Sequence, residues 1–168
     1  PSNIIDMYIM TRGYYNAIKQ WLNNNLDNKP EPPNTFQLRN DYKKLMANKM
    51  ISDSIIIHPG KIKTIIGKHA PDELKAKIKV IRSSNRNLTN NQIKVIVVDT
   101  VKKFFDINKW DFGQTFNFTI LSAYIHSILP IELDSVVLVP TSSNHIFGDL
   151  LRVYAADDEI IQASIDVN

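Results

Sequence analysis

The sequence predicts an α+β protein, a small mixed sheet with packed helices and a helical N-terminal region in front of it. Three observations carry that expectation. Lys75-Ala76-Lys77-Ile78-Lys79-Val80-Ile81 alternates charged and apolar residues, the period-two pattern of a strand with one buried face. Apolar residues recur at helical spacing through 90–105 and again through 120–129. Between and after these helices lie β-prone runs, giving the order β-α-β-α-β followed by a terminal hairpin.

Taken in order, Met7-Tyr8-Ile9-Met10-Thr11 is a short strand, and Gly13 marks a turn. Tyr14, Ile18, Trp21 and Leu22 then fall on one helical face, ended by Asn23-Asn24-Asn25, whose side chains compete for the backbone. Lys29-Pro30-Glu31-Pro32-Pro33 can be neither helix nor interior strand, because proline lacks the amide donor and restricts its predecessor. Thr35 is the expected cap of a second helix with an apolar stripe of Phe36, Leu38, Tyr42, Leu45 and Met46. Ser54–His58 is a β-branched strand stopped by Pro59-Gly60, and 61–66 suits strand or helix equally.

Beyond Pro71 the pattern sharpens. The alternating strand sets Lys75, Lys77 and Lys79 on one face. Thr89 is the expected cap of a long helix, with Lys102 and Lys103 in its last turn favouring the dipole. Thr115–Phe118 is a short strand, and Thr119 is expected to cap a helix that Pro130 stops. Ser135–Val139 is an apolar strand, and Leu150–Tyr154 and Glu159–Val167 form the hairpin around Asp157-Asp158. We divide the chain into residues 1–70, helical and proline-bridged, and 71–168, a compact α+β domain. The chain opens on Pro1 and reaches apolar residues at once, so we expect a piece of a longer protein.

Composition narrows the function classes. The chain has 168 residues, 43% of them hydrophobic, enough to bury a sizeable core. Against 20 Lys+Arg stand 17 Asp+Glu, a net charge of only +3. With no cysteine there is no disulfide, thiolate metal site or cysteine nucleophile. No apolar stretch approaches the roughly 20 residues that span a bilayer, so no membrane insertion is expected. His58, His69, His126 and His145 lack zinc-site spacing. Asp106–Gly113 has a passing look of a calcium loop, but Trp110 and Phe112 occupy places that want polar or small residues. Asp157-Asp158-Glu159 reads as a solvated turn, since catalytic carboxylates need separate environments. No G-x-S-x-G elbow and no phosphate-cradling glycine loop can be assembled from 5 glycines. We expect no enzyme activity, no cofactor and no small-molecule substrate.

Two binding readings remain. The Lys75/Lys77/Lys79 face with Arg82 and Arg86 could contact phosphates, with nearby aromatics stacking on bases. Alternatively the aromatics serve the fold and protein contacts. Phe116 and Phe118 would share one strand face and fill the core, while Trp110, just before the turn, would project toward a partner. On that reading Trp110→Ala costs less stability than Phe116→Ala. In the N-terminal region Tyr14, Tyr15, Trp21, Phe36 and Tyr42 sit on short helices that bury little alone, and such aromatics suit the centre of an interface. With Trp110 they make up the candidate interface, core packing within the chain being the alternative.

With these residues in place, the run F-G-Q-T-F-N-F-T-I-L-S-A-Y-I-H-S-I-L-P-I-E-L-D-S-V-V-L-V-P, from Phe112 to Pro140, resembles the C-terminal part of baseplate J-like proteins of contractile phage tails. The likeness extends to P-E-P-P-N-T and K-M-I-S-D-S-I-I-I-H-P-G-K-I-K and so spans most of the chain. Its motifs are structural. The resemblance implies a virion subunit, made in the bacterial host's cytoplasm and built into the inner ring of the tail baseplate. Its partners would be copies of itself, as a homodimer contributing to a ring, and other baseplate wedge proteins. It implies a part in baseplate assembly and in the trigger for sheath contraction, and it brings no catalytic residues.

Overall fold

Residues 3–44, 47 and 53–165 are described by a computed structural model. The chain runs β1 (Asn3–Ile9), α1 (Arg12–Leu22), α2 (Thr35–Asp41), β2 (Asp53–Pro59), β3 (Lys61–Ile65), β4 (Ala76–Arg82), α3 (Asn90–Phe104), β5 (Phe116–Asn117), α4 (Phe118–Ile128), β6 (Leu133–Pro140), β7 (Arg152–Val153) and β8 (Glu159–Ala163). The architecture is α+β, with small two-stranded sheets and packed helices.

Local chemistry accounts for the helix starts. Thr11 caps α1 by accepting from the Tyr14 amide at 3.2 Å. Thr89 and Gln92 form a capping box on α3, each side chain taking the other's backbone N–H. Two caps differ from expectation. Asn34, not Thr35, caps α2, because it forms a complete capping box with Gln37 while Thr35 is already helical. Likewise Asn117 caps α4 and accepts from the Thr119 amide at 3.0 Å. The helix therefore begins at Phe118, and β5 shrinks to two residues. Leu45 and Met46, expected on the α2 stripe, lie outside the described residues.

The pairing is more dispersed than the pattern suggested. β4 and β6 are antiparallel neighbours, with Lys77 opposite Val139 and Lys79 opposite Val137. β1 and β2 form a parallel ribbon, and β3 pairs in parallel with β8. Among the described residues the terminal hairpin is not formed: β7 pairs with β5 and β8 with β3, while the expected strand's Asp166 and Val167 lie outside the described residues. The Asp157-Asp158 turn is real, but the Lys61 amide donates to Asp158 O at 2.9 Å, so β3 receives the chain as it leaves the turn.

Gly60 joins the two parallel units. β2 and β3 are one continuous run that changes partner there. The Gly60 amide donates to Ile9 O at 2.7 Å, the last contact with β1, and Lys61 opens the pairing with β8. A Cβ on Gly60 would lie 2.7 Å from the Phe112 ring and 2.8 Å from Ile9 O, so only glycine lets the chains approach this closely.

Packing follows from these connections. α1 inserts Tyr14, Ile18 and Trp21 into one core with Ile93 and Val101 of α3, Leu121 and Ile125 of α4, and Ile161 of β8. This core crosses residue 70. A second, smaller cluster of Leu38, Ile55 and Ile57 packs α2 onto one face of the β1–β2 ribbon.

Candidate interaction surfaces

The six aromatic candidates have very different surroundings. Tyr14 is core: its ring is buried and its phenol oxygen accepts from the Ile62 amide at 3.0 Å. Burial raises its pKa above the ordinary 10.0, partly offset by that amide. Trp21 is also buried, against the His69 ring at 4.5 Å, with the Lys29 ammonium 5.7 Å from its ring centre. Tyr15 is half-buried against the main core, and burial also raises its pKa. Tyr42 is half-buried against the smaller cluster. Phe36 alone stands open, at 73% exposure on α2.

Trp110 corrects the expectation that it projects outward. It is 7% exposed and stacks on Phe105 at 5.4 Å, and its indole N–H donates to Phe104 O at 2.9 Å. The reason is the short 3₁₀ turn Ile107–Lys109, which folds the chain back across the end of α3. The indole then satisfies one of that helix's terminal carbonyls. Phe116 stacks on the same Phe105 ring at 5.7 Å and is fully buried. Trp110, Phe104 and Tyr124 also wall a small pocket of about 260 Å³.

The sequence reading missed the open face of the β1–β2 ribbon. In register, Ile4, Asp6 and Tyr8 stand beside Ser54, Ile56 and His58 on the side away from α2. Ile4 is 69% and Ile56 41% exposed. Between them Asp6 Oδ1 meets His58 Nε2 at 2.9 Å, and the Tyr8 ring stacks on His58 at 4.7 Å. The β-branched run at 54–58 signalled a strand. Its parallel pairing with a strand some fifty positions earlier left no local signal.

A second surface lies along β4. A groove of about 710 Å³ runs between this strand and α3. Lys68, Lys75, Lys77, Arg82 and Lys94 line it, and among the described residues no carboxylate does. Lys75 is engaged at 2.7 Å by Asp72, a contact that lowers the Asp72 pKa, and Arg82 meets Asn90. Lys79 is exposed on the same strand.

Several carboxylates have partners within the fold. Asp158 lies 3.5 Å from Lys61, and Glu159 accepts from the Ala156 amide across its turn at 2.8 Å. Asp106 accepts from the Asn108 amide at 3.0 Å. Buried Glu132 takes the Asn87 and Leu88 amides at 2.9 and 3.1 Å, pinning the loop before α3. His126 donates to Leu133 O at 2.9 Å. No group of three or more potential metal ligands occurs among the described residues. No described helix is long and apolar enough to cross a membrane.

Compared with known proteins, the chain matches no protein-family model, and no curated protein resembles it at a significant level.

Proposed function

We propose that this chain is a non-enzymatic structural subunit of a contractile phage tail baseplate, working through contacts with copies of itself and with other wedge proteins. Its counterpart would be the C-terminal portion of the T-even baseplate wedge protein, gene product six, and its place the inner ring of the virion's tail. Two things support this reading: the residue likeness between Phe112 and Pro140, and one feature of the fold.

That feature is the β1–β2 ribbon. Parallel strands are ordinarily buried on both faces. Here α2 covers one face in part, leaving Ile5 41% exposed at its end, and the other face presents Ile4 and Ile56. Among the described residues both strands also have one unpaired edge. A lone two-stranded unit is marginal in water, and a partner that covers it removes the exposed apolar area from solvent.

The nucleic-acid alternative retains its lysines and loses its stacking platform. Phe116, Phe118 and Trp110 are buried, Phe112 is half-buried against Tyr8, and among the described residues no aromatic lines the basic groove.

Light scattering across concentration tests the assembly reading. The expected mass is a multiple of the 19.2 kDa chain at high concentration, and Ile4→Asp/Ile56→Asp should return it to the monomer. A wild-type chain that stays monomeric at every concentration and salt would defeat this reading of the ribbon.

A further inference from the structure

The free edge of β4 has the makings of a peptide site. Among the described residues β4 pairs only with β6. Thr141 N donates to Lys75 O at 3.0 Å, which fixes the phase of this antiparallel ladder. Hydrogen-bonding direction alternates along a strand, so Lys77 and Lys79 turn their backbone groups to β6, while Ala76, Ile78 and Val80 turn theirs outward. The Gly67 amide confirms the phase by donating to Ala76 O at 3.3 Å from the outer side. Past that point no described strand takes up the edge, and Ile78 and Val80 present N–H and C=O groups along the groove.

The groove's lining says what would fill it. Its floor is apolar, formed by Ile78 and Val80 of β4 with Ile93 and Val97 of α3. Its rim carries Lys68, Lys75, Lys77, Arg82 and Lys94, with the neutral Asn90 and Thr141 between them. At one end the buried Ser164 Oγ has no hydrogen-bond partner among the described residues. An unpaired edge, an apolar floor and a cationic rim together suit an extended segment with alternating apolar and acidic side chains. The edge from Ile78 to Arg82 is about 13 Å long at roughly 3.3 Å per residue, room for one short strand. A second copy of β4 is disfavoured, since its lysines would meet lysines. Nucleic acid would find no ring to stack on.

We propose that the β4 edge and the α3 groove bind an acidic, alternately apolar peptide segment of a partner protein by strand addition. This deepens the assembly reading and rests on it for the source of the segment. Peptide binding is measured apart from self-association, so either can fail alone.

The test is fluorescence anisotropy with a labelled peptide of about eight residues alternating Glu and Val. A second peptide of the same sequence is N-methylated on alternate residues, in both possible phases. Methylation keeps every charge and side chain and removes the ladder's donors. We expect saturable binding that weakens with salt, at least about tenfold weaker binding after methylation in one phase, and a loss of similar size in Lys77→Glu/Lys94→Glu. Circular dichroism of that variant, altered only at the groove's rim, should match the parent. The proposal falls if the parent peptide does not bind, if both methylated forms bind equally well, or if a thymidine homopolymer displaces the peptide at lower concentration than unlabelled peptide does.

Discussion

Replacing Trp110 with alanine separates the core role found for this residue from the exposed role its sequence position suggests. The side chain is 7% exposed, so its removal forfeits nearly all of a buried aromatic, a change that costs about 3–5 kcal/mol. It also leaves Phe104 O without the indole donor. Phe104 is half-buried beside a pocket of about 260 Å³, so water can reach that carbonyl, and this part lies near the low end of the range, about 1 kcal/mol. Together the loss is about 4–6 kcal/mol, a fall in Tm of about 8–24 °C at roughly 2–4 °C per kcal/mol for a domain of this size. Trp110→Phe keeps the stacking on Phe105 and loses the N–H, and should cost about 1–2 kcal/mol. Urea unfolding followed by circular dichroism measures both. Phe116→Ala belongs beside Trp110→Ala, within about 1 kcal/mol, because both rings stack on Phe105. A Trp110→Ala loss below about 0.5 kcal/mol, the range of surface substitutions, would refute the reasoning.

Two further outcomes follow from the fold. Gly67 has φ +80° and a Cβ there would fall 1.7 Å from Ser164 O, so Gly67→Ala should cost more than about 2 kcal/mol, or prevent soluble expression, whereas Gly13→Ala, with open space around it, should be tolerated. Tyr14 has its folded-state pKa raised above 10.0 by burial, so its contribution is complete below about pH 10 and is lost as pH rises through the folded value; Tyr14→Phe should lower stability at neutral pH by about 1–3 kcal/mol, by orphaning the Ile62 amide, and flatten the fall in stability above pH 10 in urea melts run across pH.

Much of this fold was readable because it is written in local periodicity. α3 has its cap at Thr89, its buried stripe of Ile93, Val97 and Val101, and its lysines at the C-terminal turn, all within one window of sequence. β4 alternates so regularly that its faces could be assigned, and Lys77 and Lys79 are exposed as that alternation requires. Pairing was the part that local pattern could not supply. β8 follows a turn after β7 and shares its β-propensity, which is all a hairpin shows in sequence. Its partner is decided by β3, almost a hundred residues earlier, through one backbone bond to Asp158 and a parallel register. Three of the aromatic candidates, Tyr14, Trp21 and Trp110, are buried in the core, and sequence could not show this for a related reason. Residue type identified Trp110, Trp21 and Tyr14 as energetically important, but whether a large ring faces a partner or its own core depends on where the chain folds back. The ribbon and groove surfaces were hidden in the same way, since each is made by strands distant in sequence or by an edge left open.

The continuous run through Gly60 has a mechanical consequence. A load that draws the ribbon away along β2 passes through an unbroken backbone into β3. There it meets β8 side by side and parallel, so the strands are asked to slide past one another and the rungs between them share the load together rather than opening singly. Force delivered along β2 at Ile56 thus arrives at the β3–β8 pair as shear.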